Sequence, residues 1–279
     1  MPPIVTYSET RFVKRHRGTM PIILTSPHDG TETLNVTERT EANSPEECPG
    51  FSGSRDTGTG TITEGIAQKI LDVTGLSPYV VIARFHRRFI DANRDENCAF
   101  IDNDAKPFYD QYHNRISGFL DQLLSQNEDR GFLFDIHGFG EQADDNADIA
   151  LGTAAGATLR PDYPRANVFR QHGLHGLLSS VRRNILQPSG TSPAVPIGSS
   201  ITFPPIPLEF QYRVSPVNST APEIPRLNGG FTVRNYSSRL NCIQVEIANT
   251  IRNDVQKRSF VIEDLAYAMI NSVRRYAPF

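Results

Sequence analysis

Two histidines stand where strand-like apolar runs end, His28 in SPHDG and His137 in DIHGFG, each followed closely by glycine. A neutral imidazole at such a point can bind a metal, and the glycines let the backbone turn tightly and approach a ligand. A hydrolytic metal site takes three protein ligands from His and carboxylates and keeps a fourth position for water. Asp56 in RDTGT is the candidate third ligand; Glu32, four residues after His28, is the alternative. Asp56 also lies just ahead of a helical pattern, where an aspartate can simply cap the helix.

Glu246 sits inside the apolar run CIQVEI. A carboxylate buried there is costly unless it is paired or used, which makes it a candidate base beside a metal site. Gln244, two residues earlier, shares its strand face. RFHRRFIDANRD, residues 84–95, crowds Arg84, Arg87, Arg88 and Arg94 with Asn93. A planar guanidinium there can clamp a carboxylate by two hydrogen bonds or stabilise an oxyanion. A nucleophilic Cys98 with His113 is a weaker alternative, because His113 lies in a helical stripe beside Tyr112.

The elements that must position these groups read as alternating strands and helices. Apolar runs at Pro21 to Ser26, Tyr79 to Arg84, Gly131 to Ile136 and Cys242 to Ile247 predict buried strands. Helical spacing covers Thr61 to Gly75, Tyr109 to Gln126, Ala166 to Arg182 and Phe260 to Tyr276. The alternation predicts one α/β domain with a mixed, mostly parallel sheet covered by helices on both faces, its active site at the carboxyl ends of the strands. Two stretches break the pattern: a Gly/Ser/Thr-rich segment at 34–60 and a Pro-rich irregular excursion at about 187–228. Loops of this length are often functional covers.

Composition narrows the function classes. With 38% hydrophobic and 21% charged residues in 279, the chain is globular. A net charge of −3 and a pI near 6.2 argue against nucleic acid as a partner. No run is apolar enough to span a membrane and the start is not a signal peptide, so a soluble, cytoplasmic protein is expected. The three cysteines form no CxxC pair, and at least one must be unpaired.

Taken in order, SPHDG, RDTGT, RRFIDANRD, DIHGFG, GGFTVRNY and IQVEI resemble the motifs of the N-formylglutamate amidohydrolases over roughly Pro21 to Arg252. The resemblance implies a phosphorylase/hydrolase-like fold, related to zinc carboxypeptidases and aspartoacylases. It implies Zn²⁺, or another divalent ion, on His28, Asp56 and His137, and Glu246 as general base. It places Arg94 with the catalytic groups, and Arg88, Asn93, Arg94 and Arg234 with substrate binding. The partner would be a small N-acylated carboxylate. In GGFTVRNY, Asn235 stands where the family has histidine, Ser237 replaces a glycine, and no Tyr-Met follows Glu246. These departures fall where substrate choice would be set. Two other readings share the residues: a carboxypeptidase-like hydrolase of short peptides or polyglutamate, and a non-catalytic carboxylate-binding protein. The oligomeric state is left open.

Overall fold

The computed structural model describes residues 3–48, 50–127, 130–140, 146–184, 209–277 and 279. Four strands built from the apolar runs form the centre: β3 (Ile22–Ser26), β4 (Tyr79–Ala83), β5 (Phe132–Phe139) and β10 (Asn241–Ala248). Shorter strands are β1 (Ser8–Glu9), β2 (Val13–His16), β6 (Ile149–Gly152) and β9 (Val214–Ser215), with β7 (Arg182–Asn184) and β8 (Glu209–Gln211) pairing separately. The main sheet has eight strands in the order β1-β2-β4-β3-β5-β10-β6-β9. β4, β3, β5 and β10 run parallel, while β2 and β6 flank them antiparallel.

The central strands are unbroken apolar runs because helices cover both faces. Ile22, Leu24, Phe134 and Val245 pack with Ile62, Ile66 and Ile70 of α1 (Thr59–Thr74) and with Leu265 and Met269 of α8 (Val255–Arg274). Ile23, Val81 and Leu133 turn the other way, onto Tyr112, Ile116, Leu120 and Leu123 of α3 (Lys106–Gln126). Each such side chain contributes about 1.5–3 kcal/mol on burial. Gly75 ends α1 in the left-handed conformation, at φ 74°, and its N–H returns to the Leu71 carbonyl. The connection β3-α1-β4 covers one face and β4-α3-β5 the other, so the chain leaves β3 in both directions. The crevice at such a reversal, past the carboxyl ends of β3 and β5, is where open α/β sheets bind ligands.

The helix expected over Ala166 to Arg182 is two, α4 (Arg165–Val168) and α5 (Leu174–Ser180). Gly173 packs so closely on the Asn167 carbonyl that a Cβ would lie 2.2 Å from it, and the chain turns there instead of continuing. The remaining short helices are α2 (Glu96–Ala99), α6 (Phe231–Tyr236) and α7 (Asn249–Arg252). Residues 187–208 of the expected Pro-rich excursion lie outside the described residues. Among the described residues, no helix is long and apolar enough to cross a membrane.

Candidate active site

β3 delivers His28 and β5 delivers His137 to the same crevice, both buried, with their rings 4.8 Å apart. His28 Nδ1 lies 3.2 Å and His137 Nδ1 3.4 Å from the Asp56 Oδ2, and one ligand atom from each of the three residues falls within 4.8 Å of the others. Asp56 is the carboxylate gathered with the histidines. Glu32 pairs by its backbone with Arg84 and His86, and its carboxylate faces Arg11 and Arg84. Nor does Asp56 cap α1. Asp29 does, accepting Gly58 N at 3.0 Å and Gly60 N at 2.9 Å while Arg55 pairs with it. That leaves the Asp56 side chain to face the histidines.

The far nitrogens of both rings are held by further carboxylates. His28 Nε2 lies 2.7 Å from Asp91 Oδ1, and His137 Nε2 lies 2.7 Å from Asp135 Oδ2. Asp135 also accepts Thr25 Oγ1 at 2.6 Å. These contacts hold each ring from its far side and leave Nδ1 facing Asp56, the arrangement in which a ligating histidine is oriented from behind. Asp91 and Asp135 were not singled out from sequence. The signal for Asp135 was present, since it lies two residues before His137 on the same strand face.

Asp91 is a hub. It accepts Arg87 Nε and Arg94 Nε, each at 3.0 Å, and Arg39 comes within 3.7 Å. Burial opposes its charge, but Arg87, His28 and Arg39 outweigh that and hold its pKa well below the usual carboxylate value. Burial likewise opposes charge on Asp56, yet His137 and His28 drive its pKa down. His137 loses by burial and gains more from Asp135 and Asp56, which raise its pKa well above the usual imidazole value. Asp135 and Asp56 thus favour positive charge at His137, and the His-Asp-His donor set suits a divalent ion between the rings.

Glu246 stands beside His137 in the parallel β5-β10 register, as Gln244 stands beside Asp135. Gln244 donates to Glu246 Oε1 at 2.8 Å, leaving Oε2 buried with no hydrogen-bond partner among the described residues. Burial is the main cause of a pKa raised to about 7, with Asp56 adding and His137 subtracting. A carboxyl so placed can both accept and return a proton near neutrality.

The open volume in front of these groups is a cleft of about 1030 Å³ that includes Asn93, Arg94, Arg87 and Arg252 in its walls. Asn93 Oδ1 accepts Thr232 N at 2.8 Å, and its amide lies 3.3 Å from His137 Nε2. Gly230 makes room for it, since a Cβ there would lie 2.1 Å from Asn93 Nδ2. Arg94 also donates to Gly50 O at 2.6 Å. Arg88 lies outside this cleft, half exposed and 3.7 Å from Glu38. Arg234 braces the wall from outside, donating to Gly229 O and Asn228 Oδ1. Arg87, which the sequence left unranked within its cluster, takes the inner position.

The segment 34–60 forms part of the wall through Gly50, Phe51, Ser52 and Ser54. A disulfide between Cys48 and Cys98 ties it to α2, so Cys98 is not a nucleophile; Cys242 is the buried free thiol. His113 is structural, with Nε2 3.0 Å from Ala92 O and Nδ1 3.1 Å from the Tyr236 hydroxyl.

No protein-family model and no curated protein matches this sequence. The fold is shared with solved structures. An N-formylglutamate amidohydrolase from Ralstonia eutropha JMP134 superposes at a TM-score of 0.54 with 15% identity, over 92% of this chain and 94% of that one. A gene product from Agrobacterium tumefaciens superposes at 0.51 with 13% identity, over 95% and 96%. At these identities the likeness is one of fold: an α/β, hydrolase-like sheet aligned over nearly the full length of each chain.

Proposed function

We propose that the protein is a zinc-dependent amidohydrolase that cleaves the amide of an N-acyl amino acid, with N-formyl-L-glutamate, giving formate and L-glutamate, as the leading substrate. One observation carries this reading: His28, Asp56 and His137 converge at the base of the cleft with the unpartnered Glu246 Oε2 on the adjacent strand. The protein of like fold that bears the name N-formylglutamate amidohydrolase supports it.

His28, Asp56 and His137 would hold the ion. A divalent ion there supplies Lewis acidity and makes water more acidic, toward a pKa of about 7. Glu246 removes a proton from the attacking water and returns it to the departing nitrogen, so water and amide give acid and amine with no net proton change. Arg94 and Asn93 hold a substrate carboxylate, and their tethers to Asp91 and Thr232 keep the reacting amide in register. A cleft of about 1030 Å³ also has room for a substrate larger than a formylated amino acid, which supports a short peptide or polyglutamate as the second reading.

Metal analysis of the wild type and of the His28→Ala/His137→Ala variant, with a free-amine assay headed by N-formyl-L-glutamate, tests the proposal. About one zinc per chain, lost in the variant together with hydrolysis, is the expected result. Glu246→Gln should keep its zinc and lose turnover by about 10²–10⁴-fold. A folded wild type that binds no zinc and cleaves no amide overturns the reading in favour of a carboxylate-binding protein.

A further inference from the structure

Arg252 ends α7, just past the carboxyl end of β10. Among the described residues it is one of two buried arginines, and the other, Arg39, faces Asp91 at 3.7 Å. Arg252 has no carboxylate within ion-pair distance among the described residues. Its contacts are with backbone carbonyls: Nε donates to Ile247 O at 2.9 Å, one terminal nitrogen to Phe139 O at 3.2 Å and the other to Thr57 O. Gly138 lets the guanidinium in, because a Cβ there would lie 2.3 Å from Arg252 Nε.

A guanidinium has five N–H donors, so three carbonyls leave one on each terminal nitrogen. Carbonyls satisfy hydrogen-bonding capacity but do not neutralise charge, and the carboxylates of Asp56, Glu246 and Asp29 act on Arg252 only from beyond ion-pair distance, which leaves part of the cost of its burial uncompensated. Arg252 borders the cleft, as does Asn249, one helical turn earlier. The Asn249 Oδ1 is buried without a partner among the described residues. A cation without a direct carboxylate contact and an acceptor short of a donor therefore adjoin in one wall.

We infer that Arg252 and Asn249 form a second recognition point for the substrate, Arg252 taking an anionic group such as a carboxylate and Asn249 a neighbouring N–H. This deepens the proposed amidohydrolase reading and rests on it for the identity of the substrate. It adds an anion site on α7, directly after β10, whereas Asn93 and Arg94 lie on the loop after β4, with β3 and β5 between the two strands. The substrate is then anionic at two points. The three carbonyls hold the guanidinium in place before binding, so little side-chain freedom is lost when the anion arrives.

The test pairs binding with turnover in zinc-supplied wild type, Arg252→Met and Asn249→Asp. Arg252 also braces three chain segments, so its removal can unfold the protein. Asn249→Asp keeps that brace and puts a carboxylate one turn from Arg252, supplying a counter-ion next to it. Calorimetry compares glutarate with its monoamide; the amine assay compares N-formyl-L-glutamate with N-formyl-L-glutamine. The wild type should prefer glutarate by about 10–100-fold, the value of one charged hydrogen bond. In Asn249→Asp, and in Arg252→Met if it folds, that preference should fall to within about threefold. An unchanged preference in folded Asn249→Asp overturns the inference, as does a wild type that does not distinguish the two ligands. Hydrolysis with equal losses on both formyl substrates overturns it while leaving the amidohydrolase standing. A variant-sensitive glutarate preference without hydrolysis of any amide supports the anion site and removes the amidohydrolase.

Discussion

Each histidine of the candidate metal group has a carboxylate behind it, and the two differ in their surroundings. Asp135 is fully buried and is held by Thr25 and His137, whereas Asp91 also carries Arg87 and Arg94. Replacing Asp135 by Asn should weaken zinc binding by about 10–100-fold, the usual effect of losing such a partner, with little change in the cleft walls. Asp91→Asn should weaken zinc to a similar degree and, by freeing two arginines, also raise KM. Competition with a chromophoric chelator and steady-state kinetics separate the effects, and equal KM for the two variants would refute the distinction. His28 and His137 could be singled out because each follows a strand-like apolar run, whereas Asp56, just ahead of a helix, could equally have been a cap. The orienters of the two histidines were less legible: Asp91 sat inside an arginine-rich motif whose charges drew attention to the cations. Arg252 follows the last motif by several residues, and only folding brings it to the cleft.

At the scale of elements, the strands and long helices could be read because burial on both faces writes continuous apolar runs and regular stripes. The short strands β1, β2 and β9, at or next to the sheet edges, carry no such signal, since two to four residues are too few to write an apolar run. The loops could be placed but not aimed, and aim depends on close approaches such as Gly230 against Asn93. Gly230→Ala should push Asn93 from its place and reduce kcat/KM by about 10²-fold, the cost of a 1 Å misplacement, while the fold survives. Turnover in that variant comparable to wild type would show that Asn93 need not stand there. His113 secures the same loop through the Ala92 carbonyl. Burial is the main cause of its pKa being lowered to about 4, against smaller raising effects of the Ala92 carbonyl, Asp135 and Asp110. Between pH 6.5 and 4 the unfolded chain therefore binds the proton that folded His113 refuses, so its contribution is full above pH 6.5 and is lost as pH falls toward 4. The loss amounts to about 3 kcal/mol. Urea unfolding across that window should show a shallower decline for His113→Gln than for wild type, and parallel declines would contradict it.

Over the whole molecule, the fold is shared nearly end to end with proteins only 13–15% identical, so the layer architecture tolerates extensive change of sequence. One feature of the wall is covalent. The Cys48–Cys98 disulfide spans a sequence separation of 50 and closes a loop containing Asp56, Asp91, Asn93 and Arg94. Sequence spacing gave no hint of it, because the two thiols meet only after the 34–60 segment folds across α2. Disulfides persist in oxidising compartments, which counts against the cytoplasmic expectation. On loop length alone the bond stabilises the fold by up to about 4 kcal/mol. Cys48→Ser/Cys98→Ser should therefore lower the stability measured in urea by about 2–4 kcal/mol. The bond also ties the Gly50–Ser54 wall to the element that follows Arg94, and Arg94 donates to Gly50 O. Its removal should accordingly raise KM more than it lowers kcat, while zinc content stays at the wild-type level because His137 lies on β5 and His28 two residues past β3. Thiol titration of the denatured wild type should find one free group before reduction and three after, from Cys242 alone and then from all three cysteines. Three thiols before reduction would remove the tether from the account of the wall, whereas one thiol with an unchanged KM in the double variant would leave it a purely stabilising bond.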